Sequence, residues 1–91
     1  MTTVTIGHRN IEISGHAKKA VVCHAISAIS NMVGNFVHAN GWADVIANDD
    51  GYMKIYNINE KYVSSPLFAA MIEALEDIKN EYPGNLEIKY V

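Results

Sequence analysis

Apolar and polar residues alternate at the start of the chain, which is the pattern of β-strands with one buried face. The alternation covers Thr3–Ile6 and returns over Ile11–Ser14. Only residues 7–10 separate the two segments, a length typical of a hairpin. The chain is therefore predicted to open with two antiparallel strands.

The period then lengthens to three and four residues, which is typical of an amphipathic helix. The change begins at about Ala17, and Asn40-Gly41 provides a stop signal. Gly34 either ends the regular helix earlier or allows close packing. The apolar positions expected to face the core are Val22, Ala25, Ile26, Ile29, Met32, Val33 and Phe36.

A second hairpin is predicted in the middle of the chain. Trp42–Ala47 and Tyr52–Ile58 have the composition of strands, and residues 48–51 lie between them. Asp50-Gly51 between two such segments is a strong hairpin signal.

A second helix follows, with Ser65 at its N-cap and Pro66 in its first turn. Pro83-Gly84 ends it, and alternation over Leu86–Tyr90 predicts a last strand. The buried face of this second helix is predicted to hold Phe68, Met71, Ile72, Leu75, Ile78 and Tyr82. Its solvent face is predicted to hold Glu73, Glu76, Asp77 and Lys79.

The predicted element order is ββαββαβ. Two hairpins require antiparallel neighbours, so the fold class is α+β: a five-stranded mixed sheet packed with two helices. A chain of 91 residues is predicted to form one domain over residues 1–91.

Composition narrows the function classes. The chain is 49% apolar and has a net charge of −3. It therefore lacks the basic character of a nucleic-acid-binding protein. A single cysteine favours a reducing cytoplasm, and we expect neither a signal peptide nor a membrane-spanning segment. A core this small gains from burying a face against a second copy, so a homodimer is expected.

The candidate chemistry lies around Cys23, the only cysteine. It falls in the first or second turn of the first predicted helix, where free N–H groups, the helix dipole, Lys18 and Lys19 favour a thiolate. His16 precedes it by seven residues, or about 10.5 Å along a continuous helix. The two side chains can therefore meet only if His16 lies in the preceding loop, which Gly15 makes feasible.

Other interpretations of the same residues remain open. Ser27 and Ser30 follow Cys23 at one and two helical turns, and Ser27 can bond the sulfur, a substrate carbonyl or its own backbone. A cysteine among apolar residues is also typical of a small core side chain. Three metal ligands are available in Cys23, His24 and His16, but their spacing fits no metal-binding pattern, so no metal is expected. A redox role is disfavoured because the chain has no resolving cysteine.

The chain resembles the ribosomal-processing cysteine protease family of bacteria and phages. Members typically carry Gly-His-Ala at the end of a strand and Asp-x-x-Cys-x-x-x-Ser at the start of a helix. Gly15-His16-Ala17 matches the first element, and Cys23 with Ser27 matches the second. The Asp50-Gly51 hairpin and the late helix ending in Glu81–Asn85 extend the likeness to nearly the whole chain.

The resemblance implies a homodimeric cytoplasmic endopeptidase with Cys23 as nucleophile and His16 as base. Substrate contacts would come from Ser27, Gly15 and Ala17, and no metal or cofactor would be needed. The implied substrate is a large-subunit ribosomal protein that loses a short N-terminal extension or, in a phage, a virion protein.

The chain departs from the family pattern at two places. The segment from His16 to Cys23 is shorter than the usual loop, and Ala20 occupies the position of the usual Asp. These departures motivate a second hypothesis, a catalytically impaired homologue that acts as a dimeric binding module.

Overall fold

The computed structural model describes residues 1–48 and 50–91, so Asp49 of the predicted second turn lies outside the described residues. Within them the elements follow the predicted order. They are β1 (Thr2–Ile6), β2 (Ile11–Ser14), α1 (Ala20–Ala39), β3 (Asp44–Asn48), β4 (Tyr52–Tyr56), a short 3-10 turn (Glu60–Tyr62), α2 (Pro66–Glu81) and β5 (Leu86–Tyr90).

The five strands form one mixed sheet in the order β3-β4-β2-β1-β5. β1 runs antiparallel to β2 and parallel to β5, while β4 lies antiparallel to both β2 and β3. The predicted α+β fold, with a five-stranded mixed sheet and two helices, is therefore confirmed.

The core lies between one face of the sheet and the two helices, which also contact each other. Strand alternation places one set of apolar side chains on that face, and the helices cover it with their own apolar stripes. The fully or almost fully buried residues include Val4, Ile11, Ile13, Ile55 and Leu86 from the strands and Val22, Ile26, Val33, Val37, Phe68, Met71 and Leu75 from the helices.

The buried face of α1 differs from the prediction. Met32 and Phe36 are 62% and 44% exposed, whereas Gly34 and Val37 are buried. The helix carries more apolar positions than one face can bury. It turns the side containing Gly34 toward the sheet, where a Cβ at this glycine would lie 3.4 Å from the Cε of Met53.

The strands of the second hairpin are shorter than predicted. Trp42 belongs to the turn after α1, because its N–H donates to the Val37 carbonyl at 2.8 Å, so β3 begins at Asp44 rather than at Trp42. β4 ends at Tyr56, before Asn57 with a φ of 52°.

α2 begins at Pro66 as predicted, but Ser65 caps it by backbone conformation alone, without a side-chain hydrogen bond. The predicted inner positions Ile72, Ile78 and Tyr82 are only half-buried. Two predicted solvent positions, Glu76 and Lys79, are also half-buried, and Glu76 accepts a hydrogen bond from the Tyr90 hydroxyl at 2.8 Å. α2 therefore covers the sheet less completely than its apolar pattern suggests.

α1 is long and apolar enough to meet the length and composition criteria for a membrane span. It has 20 residues and a mean hydropathy of 1.5. The core helix of a globular domain has the same properties, and α1 packs its inner face against the sheet and α2.

Asn85 connects the C-terminal segment to the start of α1. Its side chain is almost fully buried, and its Oδ1 accepts the Lys19 N–H at 3.0 Å. Its carbonyl accepts the Thr2 N–H at 3.1 Å. One residue therefore holds the first strand and the segment before α1 together.

We expect Asn85→Ala to lower the free energy of unfolding by about 1 to 3 kcal/mol, because the part-buried Lys19 N–H loses its acceptor. Urea unfolding followed by circular dichroism measures the change. Asn80→Ala is the matched control, since Asn80 is exposed near the end of α2 and alanine is the better helix former there. Equal stability of the two variants would contradict a structural role for the Asn85 side chain.

Candidate active site

A cleft of about 410 Å³ lies between α1 and the strand ends nearest to it. One stripe of α1 contributes Cys23, Ser27, Ser30 and Asn31 to its lining. The loop after β2 contributes Gly15 and His16. The opposite side is formed by the β3–β4 hairpin from Ala47 to Met53 as far as it is described.

The connection from β2 to α1 is the five-residue loop 15–19. Gly15 adopts a φ of +89°, and a Cβ at this position would lie 2.5 Å from the Met1 carbonyl oxygen, so only glycine fits. Lys19 is extended, with φ −101° and ψ 131°, and its carbonyl accepts the first N–H bonds of α1. His16 thus lies outside the helix, as a contact with Cys23 requires.

The sulfur of Cys23 is bound by the loop that precedes its helix. The Ala17 N–H donates to Sγ at 3.2 Å, and the thiol donates to the Ala17 carbonyl at 3.5 Å. Cys23 is half-buried and lies in the first turn of α1. An N–H directed at the sulfur is oriented to stabilise negative charge on it.

The imidazole of His16 is exposed in the cleft and packs against the backbone of Gly51. A Cβ at Gly51 would lie 2.7 Å from His16 Cε1 and 3.0 Å from Nε2, and Gly51 has a φ of +72°. The glycine of the predicted hairpin signal therefore serves both the turn and the close approach of the histidine.

The remaining predicted site residues divide between the cleft and its surroundings. Ser27 is exposed within the cleft, and Gly15 lines it. Ala17 contacts the sulfur through its backbone. His24 is exposed beside Cys23 on α1 and is not part of the cleft lining. Across the described ranges, no group of three His, Cys, Asp or Glu side chains has the arrangement of a metal site.

Sequence reasoning missed several lining residues. Asn31 follows Cys23 by eight residues and continues the stripe that contains Ser27, so helical spacing could have identified it. Thr2 and Tyr52 reach the cleft through strand pairing far along the chain, which no local pattern signals.

Tyr52 is fixed at the cleft by its hydroxyl, which donates to the Glu12 carboxylate at 2.8 Å. This hydrogen bond raises the pKa of Tyr52 above its ordinary value, and burial and the negative charge of Glu12 act in the same direction. The phenol therefore keeps its proton at neutral pH and serves the cleft as a neutral polar group.

Comparison with known proteins identifies the family to which the fold belongs. The family model described as cysteine protease Prp matches residues 1–87. The chain belongs to the Prp family. Membership makes it a cysteine-type peptidase and confirms the family predicted from the Gly15-His16-Ala17 and Cys23 motifs. No curated protein matches the chain.

Solved structures share the whole fold. The ribosomal processing protease Prp from S. aureus, in complex with a covalently linked product peptide, is 23% identical with a TM-score of 0.85, covering 100% of both chains. The same protease with a substrate peptide is 21% identical with a TM-score of 0.84, again over 100% of both chains. SMU.848 from Streptococcus mutans is 23% identical with a TM-score of 0.68, covering 99% of this chain and 91% of its own.

We expect Gly51→Ala to displace the His16 imidazole, since the added methyl group would occupy its position. Gly41→Ala is a closely matched control: Gly41 has a φ of +68°, but a Cβ added there would have nothing within 4 Å. Both variants should lose about 1 kcal/mol of stability from backbone strain. Gly51→Ala should lose more, because its Cβ would also lie 2.7 Å from the Gly15 carbonyl oxygen. Only Gly51→Ala should shift the imidazole resonances of His16 in NMR spectra, assigned with His16→Gln. Unchanged His16 resonances in Gly51→Ala would contradict the packing.

Proposed function

We propose that this chain is a Cys–His endopeptidase that removes a short N-terminal extension from a large-subunit ribosomal protein or, in a phage, from a virion protein. The observation that carries the proposal is the shared cleft of His16 and Cys23, with the Ala17 N–H directed at the sulfur. The S. aureus structures support it, because that ribosomal processing protease holds substrate and product peptides on the same fold. We propose a cytoplasmic location as well, because a ribosomal substrate would be met there.

Acylation begins with transfer of the thiol proton from Cys23 to His16. The sulfur then attacks the carbonyl carbon of the scissile peptide bond, and a C–S bond forms while the carbonyl π electrons move to oxygen. Ser27 lies one turn along α1 from the sulfur and is exposed to the cleft, where its hydroxyl can bond a substrate carbonyl. Transfer of the thiol proton breaks the hydrogen bond that the thiol donates to the Ala17 carbonyl.

Collapse of the tetrahedral intermediate breaks the C–N bond. His16 returns its proton to the leaving amine, and the C-terminal product departs with a new N-terminus. Water, deprotonated by His16, then hydrolyses the thioester, which releases the carboxylate product and restores the thiol. The cycle requires no metal, cofactor or oxidant.

We expect the wild-type protein to shorten the N-terminally extended ribosomal protein of its own organism, detected by intact-mass spectrometry. Cys23→Ala should leave the substrate intact, and His16→Ala should slow cleavage by about 10²- to 10⁴-fold. His24→Ala is the matched control, because His24 is exposed beside the nucleophile but does not line the cleft. Cleavage by Cys23→Ala at the wild-type rate would refute the assignment.

A non-catalytic binding module is the second candidate. It is favoured by the partners of the sulfur, since both described hydrogen bonds of Sγ are with the Ala17 backbone rather than with the His16 imidazole. The same cleavage assay separates the two functions. A wild-type protein that binds the extended ribosomal protein without cutting it is the binding module.

We also propose that the functional form is a homodimer. The support is an unpartnered apolar surface on α1, where Met32 and Phe36 are exposed one turn apart. Trp42, by contrast, is stacked on Tyr62 within the same chain, with ring centroids 4.0 Å apart. The interface is therefore assigned to α1.

We expect light scattering at micromolar concentration to give twice the chain mass of 10.0 kDa. Met32→Glu should shift the mass to that of one chain, because it places a charge in the apolar contact. Ala70→Glu, at an exposed position of α2, is the control and should remain dimeric. A wild-type mass of one chain would rule out the dimer under these conditions.

A further inference from the structure

Ser30 places a buried hydroxyl without a described hydrogen-bond partner at the cleft. The residue is almost fully buried, being only 3% exposed, and its Oγ has no hydrogen-bond partner among the described residues. A serine within a helix ordinarily bonds the carbonyl one turn before it. A buried hydroxyl without a partner costs free energy, and a ligand that supplies one recovers it.

The surroundings of Ser30 limit what that ligand can be. Ser30 lines the cleft together with the buried apolar side chains of Ile26 and Met53. Among the described lining residues the only ionisable side chains are those of His16, Cys23 and Tyr52, and none is a carboxylate or an ammonium group. The buried part of the lining combines these apolar side chains with two hydroxyl residues, Ser30 and Thr2. It suits an uncharged hydrogen-bonding group, because an ion would be desolvated there without a counter-charge.

The spacing of Ser30 and Cys23 along α1 indicates which substrate residue would carry this uncharged polar group. Ser30 follows Cys23 by seven residues of α1, a rise of about 10.5 Å. An extended peptide advances about 3.4 Å per residue. A substrate running along α1 with its scissile carbonyl at the sulfur therefore places its third residue beside Ser30.

We propose that Ser30 is a specificity-determining residue, whose hydroxyl binds an uncharged polar side chain of the substrate about three residues from the scissile bond. The exposed Asn31 forms the rim of the same subsite. The inference rests on the proposed peptidase function. It adds that the substrate sequence is selected at Ser30, apart from the Cys23–His16 chemistry.

The test compares Ser30→Ala with Ser65→Ala. Ser65 is half-buried, but its Oγ is also buried and lacks a partner among the described residues, and it lies outside the cleft, at the start of α2. Alanine removes no described side-chain hydrogen bond at either position and is smaller than serine, so both variants should fold. The probe is a positional-scanning library of acetylated, amidated octapeptides, and cleavage is measured by mass spectrometry.

We expect the wild type and Ser65→Ala to prefer Ser, Thr, Asn or Gln over Ala, Val or Leu by about 3- to 10-fold in kcat/KM at one position, three residues from the cleaved bond. Ser30→Ala should lose this preference at that position alone. A wild-type profile with no such preference, or the same profile in Ser30→Ala, would overturn the subsite.

A second measurement keeps the subsite separate from the peptidase assignment. If the wild type cleaves no library member, the peptidase proposal fails. The subsite is then tested by binding: fluorescence anisotropy measures how the fluorescein-labelled library binds to Cys23→Ala and to Cys23→Ala/Ser30→Ala. Preferential binding of the polar set to Cys23→Ala alone supports the subsite. Equal binding to both proteins, or binding to neither, overturns it.

Discussion

The short connection between β2 and α1 is the constraint on which the site depends. Residues 15–19 must reverse the chain, start a helix and leave His16 outside it. The Ala17 N–H bound to the Cys23 sulfur closes this segment from the helix side, and the Lys19 N–H bound to Asn85 closes it from the sheet side. The loop is therefore attached at its middle by the two hydrogen bonds between Ala17 and the sulfur, and at its last residue by the bond to Asn85.

The orientation of α1 converts this local geometry into a cleft. The helix turns Gly34 and Ser30 toward the sheet and leaves Met32 and Phe36 outside. The stripe that carries Cys23 therefore borders the inner face, next to the β3–β4 hairpin. The same rotation exposes the apolar surface proposed for the dimer, so the position of Cys23 and the surface available to a second copy have a common cause.

Local patterns predicted most of the fold. Strand alternation, helical spacing and the Asp50-Gly51 signal predicted every strand and both long helices in the correct order. They failed where tertiary contacts override periodicity: Trp42 is held by the Val37 carbonyl after α1, and Met32 lies on the face that the sheet does not cover. The motif predicted a cysteine peptidase, but contacts such as Ala17 to the sulfur depend on the loop path, which no spacing rule contains.

The parallel pairing of β1 with β5 has a consequence for biosynthesis. The first strand emerges from the ribosome long before its neighbour, since Thr2 lies opposite Leu86. The Lys19 N–H likewise has no Asn85 acceptor until that residue has been synthesised. A nascent chain that has not reached these residues lacks the β5 edge of its sheet and the hydrogen bond that holds the loop before α1. The architecture thus couples the ordering of the loop before α1 to the synthesis of β5, because a chain shorter than this strand cannot form either contact.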